Sequence, residues 1–335
     1  MAVYGTLVNS DASGATGVRN MLINGDFRVW QKGTDLNTAV TGDAKTTADR
    51  WTTQYADFAA RIRKVEDTLT TGETVDTAEI TKISGSYASC EFSQKVETTV
   101  AKYLRGKTVT FSFWIKKVGA TFGSHNYDCW IGDSETVDDT VWTNTRTVDR
   151  GRATRQAGIS AAVNFTDNAW RKITITRTLS SDTNTIYCTI YTQNTPTNEG
   201  IRIANCQLEL GSVATSFEKR PLSMELQMCQ RYFHSLGGDT AYQSINTCVY
   251  YSTTESVGFF RHPVEMRGIP VISKTGNWTV LGGSGSVGQS VSADQVGPKT
   301  VQFGFYGGAS GVSGQATTLR VNNDLNFRLT FNAEF

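Results

Sequence analysis

Aromatic rings lie among amide and carboxylate groups in residues 125–133, His-Asn-Tyr-Asp-Cys-Trp-Ile-Gly-Asp, and Trp142 follows soon after. Proteins bind sugars with this mixture, because flat rings stack on the apolar face of a sugar while fixed polar groups bond its hydroxyls. The candidate sugar-binding residues are therefore Tyr127, Asp128, Trp130 and Trp142. The alternative is that Tyr127 and Trp130 are inward residues of a strand.

An acidic run after Trp130 raises the question of hydrolysis, since two carboxylates about 5–10 Å apart are enough to cleave a glycosidic bond. The run consists of Asp133, Glu135, Asp138 and Asp139. Such a run in a turn-rich stretch is usually a solvated loop. Loop carboxylates also suit calcium, but the sequence contains no Asp-x-Asp-x-Asp-Gly pattern.

Other catalytic chemistry has little support in the sequence. The chain has three histidines, of which His234 and His262 each stand beside an aromatic residue or a proline, as structural histidines often do. There is no Gly-x-Ser-x-Gly, His-Glu-x-x-His or phosphate-cradling Gly-x-x-x-x-Gly-Lys-Ser/Thr motif. The sequence therefore favours a binding protein over an enzyme.

The composition limits the class of protein. The 335 residues are enough for two or three domains, and seven Trp, twelve Tyr and sixteen Phe exclude a disordered chain. Apolar runs are far shorter than the roughly 20 residues of a membrane span. With a net charge of +1, we expect no nucleic-acid partner and no membrane insertion.

The cellular compartment is inferred from the N-terminus and the cysteines. No basic region followed by a long apolar region comes after Met1, so we expect no signal peptide and synthesis in a cytoplasm. None of the cysteines forms a Cys-x-x-Cys pair, and all lie in or beside apolar stretches. We expect reduced, buried thiols, with a single disulfide as the alternative.

Apolar residues alternate with Thr and other polar residues in 108–115, 172–176 and 185–191. This period of two predicts antiparallel strands with one buried face, and frequent turn clusters predict an all-β sandwich or jelly roll. In residues 201–210 the alternation changes phase, which predicts a β-bulge near Asn205.

One segment has helical spacing instead. Pro221 suits a first helical turn, and Gly237-Gly238 would end any continuation. The stripe that we expect to be buried consists of Leu222, Leu226, Cys229 and Phe233. This helix is the best candidate for a domain junction, and the alternative is a surface helix of one continuous domain.

The two ends of the chain differ from the middle. Beyond the helix, the pattern predicts strands around 247–251, 256–261, 271–274, 301–306 and 325–331, interrupted by Gly/Ser-rich tracts. Residues 1–19 are small and polar after Val8, which suggests either a loose terminus or an arm that adds a strand to another protein.

Two motifs form a specific pair. The first is Asn-Met-Leu-Ile-Asn-Gly-Asp-Phe-Arg-Val-Trp-Gln-Lys-Gly at 20–33, followed by Thr-Ala-Asp-Arg-Trp at 47–51. The second is Gln-Leu-Glu-Leu-Gly at 207–211, which continues through 221 to Cys-Gln-Arg-Tyr-Phe at 229–233. The pair resembles tail-fibre-like and other virion surface proteins of tailed bacteriophages and prophages. The region between resembles their carbohydrate-binding-module-like jelly roll.

The resemblance implies structural roles for these motifs. Residues 20–30 would form the opening strand, and the strand that contains Gln207 and Leu208 would lie beside it. Trp30 and Trp51 would fill the core.

The resemblance also implies a candidate structural calcium site. Asp26 and Glu209 are the matching carboxylates. The alternative is that Glu209 pairs with Arg28 or Arg50.

The resemblance implies a non-enzymatic virion structural protein, a tail fibre or receptor-binding component that binds host-surface glycans. We expect a homotrimer whose arm contacts other virion proteins. The alternatives are a capsid decoration or head fibre protein and a polysaccharide depolymerase. The expected regions are an arm (1–19), a jelly roll (20–218), a helical connector (219–236) and a β-rich tip or oligomerisation domain (237–335).

Overall fold

The computed structural model describes residues 18–37, 42–46, 48–56, 59–85, 89–119, 124–138, 154–155, 163–164, 167–193, 195–280, 290–306 and 311–334. The proposed arm, up to residue 17, and both Gly/Ser-rich tracts, apart from Gly311, therefore lie outside the described residues. The chain divides into two compact units, Met1–Glu225 with Phe335, and Leu226–Glu334.

The first unit is a jelly-roll β-sandwich of two antiparallel sheets, as the alternation predicts. Sheet I has the strand order β1-β4-β5-β13-β7-β11, and sheet II has the order β10-β8-β12-β6-β3-β2 with β9 beside β8. The elements are β1 Asp35–Asn37, β2 Gly42–Thr46, β3 Thr52–Ala56, β4 Ala59–Thr68, β5 Thr74–Ser84, β6 Ser89–Val96, α1 Thr98–Ala101, β7 Thr108–Val118, β8 Ser124–Ser134, β9 Thr154–Arg155, β10 Val163–Asn164, β11 Arg171–Thr178, β12 Thr185–Gln193 and β13 Gly200–Leu210.

Both sheets contribute to one core. Ile62 and Phe111 enter it from sheet I, and Phe92 and Ile190 enter it from sheet II. Each such side chain contributes about 1.5–3 kcal/mol by leaving water. The alternate residues of these strands point away from the core, so each sheet also has an outer face.

The core tryptophans lie where the resemblance places them. Trp51 stacks on Phe92 with 4.8 Å between ring centroids, and Trp30 belongs to the same cluster. The Trp30 indole donates to the Phe27 carbonyl at 2.6 Å, and the Trp51 indole donates to the Asn24 carbonyl at 3.0 Å. The ring nitrogens of these two buried tryptophans thus have backbone partners.

The predicted bulge in β13 is confirmed. The register with β7 shifts between Ala204 and Gln207, and Asn205 has a positive φ of 50°. The extra residue lets Ile203 and Cys206 both reach the core.

The expectation of a strand at residues 20–30 is wrong. This segment consists of turns and bends, and it contacts β13 at two places. Met21 N donates to Leu208 O and Cys206 N donates to Gly25 O, each at 2.8 Å. A Cβ at Gly25 would lie 2.1 Å from the Cys206 carbonyl oxygen, so only glycine allows this approach. The two sequence motifs do lie side by side, as predicted.

The predicted helix is present as α2, Leu222–Gln230, but its predicted buried stripe is partly wrong. Leu222 is 51% exposed, whereas Glu225 is buried. Glu225 accepts a hydrogen bond from Asn24 N, and Arg220 Nε lies 2.9 Å from its other carboxylate oxygen. The helix therefore buries an ion pair that fastens the opening segment, at a position outside the predicted apolar stripe. Phe233 belongs to the next strand instead.

The second unit is also built of antiparallel strands. The order is β14-β22-β17 in a three-stranded sheet and β18-β21-β15-β16-β20-β19 in a six-stranded sheet. These strands are β14 Phe233–Leu236, β15 Ser244–Tyr250, β16 Glu255–Arg261, β17 Val271–Thr275, β18 Trp278–Val280, β19 Ser290–Val296, β20 Thr300–Tyr306, β21 Ala316–Val321 and β22 Arg328–Asn332.

The strand predictions for this unit are confirmed with one correction. Residues 325–327 form a turn and its exit rather than the start of the last strand, and Leu325 is exposed. The unit has its own core, which includes Trp278, Phe303 and Phe331.

All cysteines are buried and unpaired, so the thiol prediction is confirmed. Burial raises the pKa of every thiol whose pKa shifts, to about 11 for Cys248. Among the described residues, no helix combines the length and apolarity that a membrane crossing requires.

Candidate functional site

The outer face of sheet I has a connected set of ion pairs. Glu79 accepts from Arg63 Nε with one oxygen and from Arg202 Nε with the other, each at 2.6 Å. Arg202 also donates to Asp67 at 2.6 Å, and Lys116 pairs with the same carboxylate. These residues come from four neighbouring strands, at positions that alternate with core residues. The network therefore holds long side chains in fixed positions on an outward surface.

The charges of this network are mutually stabilised. Burial would raise the pKa of Asp67, but hydrogen bonds from Lys116 and Arg202 outweigh it and hold that pKa below its ordinary value. Burial would likewise lower the pKa of Arg202, but bonds to Asp67 and Glu79 outweigh it and raise the pKa. Asp67 and Arg202 are therefore both ionised at neutral pH.

Two tryptophans border one end of the network. Trp114 lies opposite Ala204 in the β7–β13 register and is half-buried, and it packs on a small cluster that contains Trp170. Lys116 Nζ lies 5.2 Å from the Trp170 ring centroid. The buried Trp170 indole nitrogen has no hydrogen-bond partner in the described part of the chain. This end of the face therefore combines an accessible ring with a fixed cation.

A cleft of about 440 Å³ lies at the other end of the same face. Val118 on its wall is four residues beyond Trp114 in β7, which corresponds to about 13 Å along a strand. The lining residues are Asn37, Arg61, Arg63, Glu79, Thr81, Lys82, Ile83, Val118 and Asn198. We name the surface from Trp114 and Trp170 through the ion pairs to this cleft the sheet I groove. Its rings, amides, hydroxyl and charges suit an elongated polar ligand.

The sequence-predicted aromatic site lies on the outer side of sheet II. Trp130 clusters with Tyr187 and Tyr191, and its ring is 1% exposed. Gly132 accommodates Tyr187, because a Cβ there would lie 1.8 Å from the tyrosine ring. Asp128 is also buried. The Trp130 ring thus presents no open face for stacking in this conformation.

For the other two predicted sugar-binding residues, Tyr127 and Trp142, the structure describes no contact with Trp130. The side chain of Tyr127 and the whole of Trp142 lie outside the described residues. The sugar-binding role of these four residues stays a prediction.

The expectation of a solvated acidic loop is wrong for Asp133, which lies in β8 and is fully buried. Arg177 Nη2 donates to one carboxylate oxygen at 2.7 Å, and the Thr183 hydroxyl donates to the other at 2.5 Å. Asp138 accepts from Thr98 N at 2.8 Å, and Glu135 is exposed. Asp139 is outside the described residues.

The carboxylates of the calcium prediction have protein partners. Glu209 accepts from Gln207 Nε2 at 2.8 Å and from the backbone and hydroxyl of Thr215 at 2.9 and 2.7 Å. Asp26 pairs with Arg28, and its second oxygen has no hydrogen-bond partner among the described residues. The alternative pairing of Glu209 with an arginine is therefore wrong.

The described residues contain no group of three or more metal-ligating side chains. This donor set does not make a calcium cage, and the calcium stays a prediction.

Two histidines of the second unit form a buried pair. His234 Nε2 lies 2.9 Å from His262 Nδ1, and His234 stacks on Phe331 with 4.4 Å between ring centroids. Burial lowers the pKa of His234 to about 3 and also lowers that of His262. Both rings are therefore neutral at pH 7, as packed structural histidines are.

Comparisons with known proteins give structural likenesses only. No protein-family model matches the chain, and no curated protein matches it. A solved sugar-binding protein of Bacteroides thetaiotaomicron, described as putative, is 14% identical over 58% of this chain and 100% of its own, with a TM-score of 0.34. A tailspike domain of bacteriophage CBA120, described as enzymatically active, is 11% identical over 48% of this chain and 19% of its own, with a TM-score of 0.33.

A carbohydrate-binding module described as CBM4 is 19% identical over 56% of this chain and 98% of its own, with a TM-score of 0.31. Likenesses at this level do not decide what the present chain binds or whether it catalyses a reaction.

Proposed function

We propose that this chain is a non-enzymatic adhesion protein of a tailed-phage particle, a tail fibre or receptor-binding component that binds host-surface glycans through the sheet I groove. The observation that carries the proposal is the combination of a half-buried Trp114 and a 440 Å³ polar cleft on one face, joined by fixed ion pairs.

The groove suits a saccharide chain for physical reasons. A sugar ring has an apolar face that packs on an indole, and hydroxyls that need donors and acceptors. Thr81, Asn37 and Asn198 supply uncharged groups of this kind. Because Glu79 is already held by two arginines, binding needs to order few protein side chains, which lowers its entropic cost.

The arrangement of carboxylates supports binding without hydrolysis. A glycoside hydrolase needs one carboxyl group that stays protonated near neutral pH as a general acid. On the groove, Asp67 has a lowered pKa, and both oxygens of Glu79 are bonded to arginines. Asp133 is buried against Arg177. These contacts support adhesion over depolymerisation.

The virion part of the proposal rests on the pair of sequence motifs. The two motifs contact each other in the fold. The Asn20 side chain forms hydrogen bonds with Cys206 O at 2.9 Å and with Leu208 N at 3.0 Å.

The trimer part of the proposal rests on the second unit. In the register of β15 and β16, Val249 and Val257 are paired, and Phe259 follows on the same side. Phe259 is 69% exposed and Val249 is also exposed, so copies of the chain can cover this patch. Several linked copies would strengthen weak sugar contacts.

A glycan array with purified full-length protein tests the binding function. We expect Trp114→Ala to lose binding to the glycans that the native protein selects, with Tyr103→Ala, an exposed ring outside the groove, as the matched control. Unchanged binding by Trp114→Ala, or glycan cleavage by the native protein, would overturn the proposal.

Location and assembly need separate measurements. We expect antibody labelling of intact particles to mark the tail, and labelling of the head would replace this assignment with capsid decoration. Light scattering after size-exclusion chromatography should give three times the 36.7 kDa chain mass, and a monomer at micromolar concentration would contradict the trimer.

A further inference from the structure

The buried histidine pair joins the two sheets of the second unit. His234 lies in β14 of the three-stranded sheet, and His262 directly follows β16 of the six-stranded sheet. The 2.9 Å contact between His234 Nε2 and His262 Nδ1 is a hydrogen bond between these sheets. Both residues are at most 4% exposed. A polar contact inside the core of this unit therefore depends on two titratable rings.

Aromatic rings surround the pair. His234 stacks on Phe331 with an interplanar angle of 19°, and its ring centroid lies 5.7 Å from that of Phe260. His262 meets the same two phenylalanine rings edge-on. Such surroundings favour neutral imidazoles, because they replace the water that would solvate a charged ring.

No negative charge near the pair compensates for a bound proton. Among the described residues, no carboxylate contacts either ring. Glu265 pairs instead with Lys299 on the surface, and Glu255 lies at the far end of β16 from His262. The charged residues of the strands and turns around the pair are Glu255, Arg261, Glu265, Arg267, Lys274, Lys299, Arg328 and Glu334.

Protonation would disrupt the contact. In the neutral pair, one ring donates to the other through a single proton. Nδ1 of His234 has no hydrogen-bond partner among the described residues, so a proton there would leave a charged donor without an acceptor. Protons on both rings would set two N–H groups against each other. Burial lowers the pKa of His234 to about 3, and it lowers that of His262 although a backbone hydrogen bond with Gly297 opposes the shift.

From this arrangement we infer that His234 and His262 form a pH-sensitive switch that holds the two sheets of the second unit together at neutral pH and releases them in mild acid. The unfolded chain takes up protons below the ordinary histidine value of 6.5, whereas the folded core excludes them. The stabilisation is therefore complete above pH 6.5 and is lost as the pH falls toward 3. The inference is independent of the proposed glycan binding.

The switch should act on the second unit before the first. In the first unit, the described carboxylates whose pKa is lowered are Asp35, Asp67 and Asp167, and their ordinary value is 3.8. Their contribution to stability is therefore unchanged between pH 6.5 and pH 5. Mild acid thus separates the two units by their stability.

Buried cysteines report the opening of each unit in the full-length protein. Cys248 lies in the same core as Phe331, and Cys129 lies in the core of the first unit. We would label the protein with 4,4′-dithiodipyridine at pH 7 and pH 5 and identify the modified cysteines by peptide mass spectrometry. Dividing each rate by that of the urea-unfolded chain at the same pH gives the opening equilibrium constant.

The expected result is a selective effect of acid. The opening constant at Cys248 should rise at least about twentyfold from pH 7 to pH 5, which is the value for one proton excluded by His234. The constant at Cys129 should change less than about threefold, because the first-unit carboxylates stay ionised in this range. An unchanged constant at Cys248 would overturn the inference.

Variants locate the switch. His234→Gln should reduce the rise at Cys248 to less than about threefold, even if the variant is less stable at pH 7, because its excluded proton is gone. His125→Gln removes the remaining histidine, in the first unit, and should keep the native rise. A native rise in His234→Gln, or its loss in His125→Gln, would contradict the assignment to the pair.

A second measurement needs no folded His234→Gln. In NMR spectra of native protein with carbon-13-labelled histidines, the signals of His234 and His262 should keep the shifts of neutral rings at pH 5. Midpoints near 6.5 in the folded protein would show that the core tolerates the charged rings, and would overturn the switch.

Discussion

The two outer faces of the sandwich use aromatic residues differently. On sheet I, half-buried Trp114 stands beside an ion-pair network. On sheet II, Trp130 packs with Tyr187 and Tyr191 into a cluster in which each ring is 3% exposed or less. Aromatic residues at outward strand positions therefore do not by themselves mark a binding surface. Exposure beside fixed polar groups distinguishes the sheet I groove.

The largest expected effect is a loss of folding stability in the buried aromatic cluster of sheet II. Trp130→Ala should lower the free energy of unfolding by about 3–5 kcal/mol, because it removes a fully enclosed ring. Trp114→Ala should cost clearly less, since the ring is only half-buried. Urea unfolding followed by circular dichroism measures both. Equal losses of unfolding free energy in the two variants would mean that the two rings are equally enclosed, and would contradict the difference between the two faces.

The second-largest loss of folding stability is expected when the ion-pair network of the sheet I groove is broken. Glu79→Gln leaves Arg63 and Arg202 without their shared anion, and we expect a loss of about 1–3 kcal/mol. This lies below the loss for breaking a fully buried pair, because both arginines are partly exposed. Asp35→Asn, at the exposed pair of Asp35 with Arg61, is the control and should change the unfolding midpoint little. If the unfolding midpoint of Glu79→Gln is as close to the native value as that of Asp35→Asn, the network does not position the side chains of the groove.

Acid should act on the same network in a defined pH range. Since the folded pKa of Asp67 is lowered, its stabilisation is complete above the ordinary carboxyl value of 3.8 and is lost as pH falls through the folded value. Lys116→Met should therefore raise the pKa of Asp67 toward 3.8. Carbon-13 NMR titration of the side-chain carboxyl measures this shift, and no change would mean that Lys116 does not hold the carboxylate.

Much of the fold could be predicted because alternation is a local property. The strand Thr108–Val118 and the bulge at Asn205 follow directly from the order of apolar residues. The buried Glu225 could not be predicted, because its partners Asn24 and Arg220 meet it only after folding.

The candidate site was harder to predict from the sequence than the fold. The alternation at Arg61-Ile62-Arg63 already indicates that both arginines face outward. However, the carboxylates that orient the groove come from distant strands: Arg202 and Asp67 are 135 positions apart. A site assembled across four strands gives no compact motif, whereas the aromatic run at 125–133 gives a motif whose one described ring, Trp130, is buried.

The most direct test of glycan binding at the sheet I groove is an NMR titration of the seven tryptophan indoles with an oligosaccharide selected on the array. The account predicts that the Trp114 and Trp170 signals shift with saturation and that the Trp130 signal does not. A saturable shift at Trp130 with Trp114 and Trp170 unchanged would contradict it.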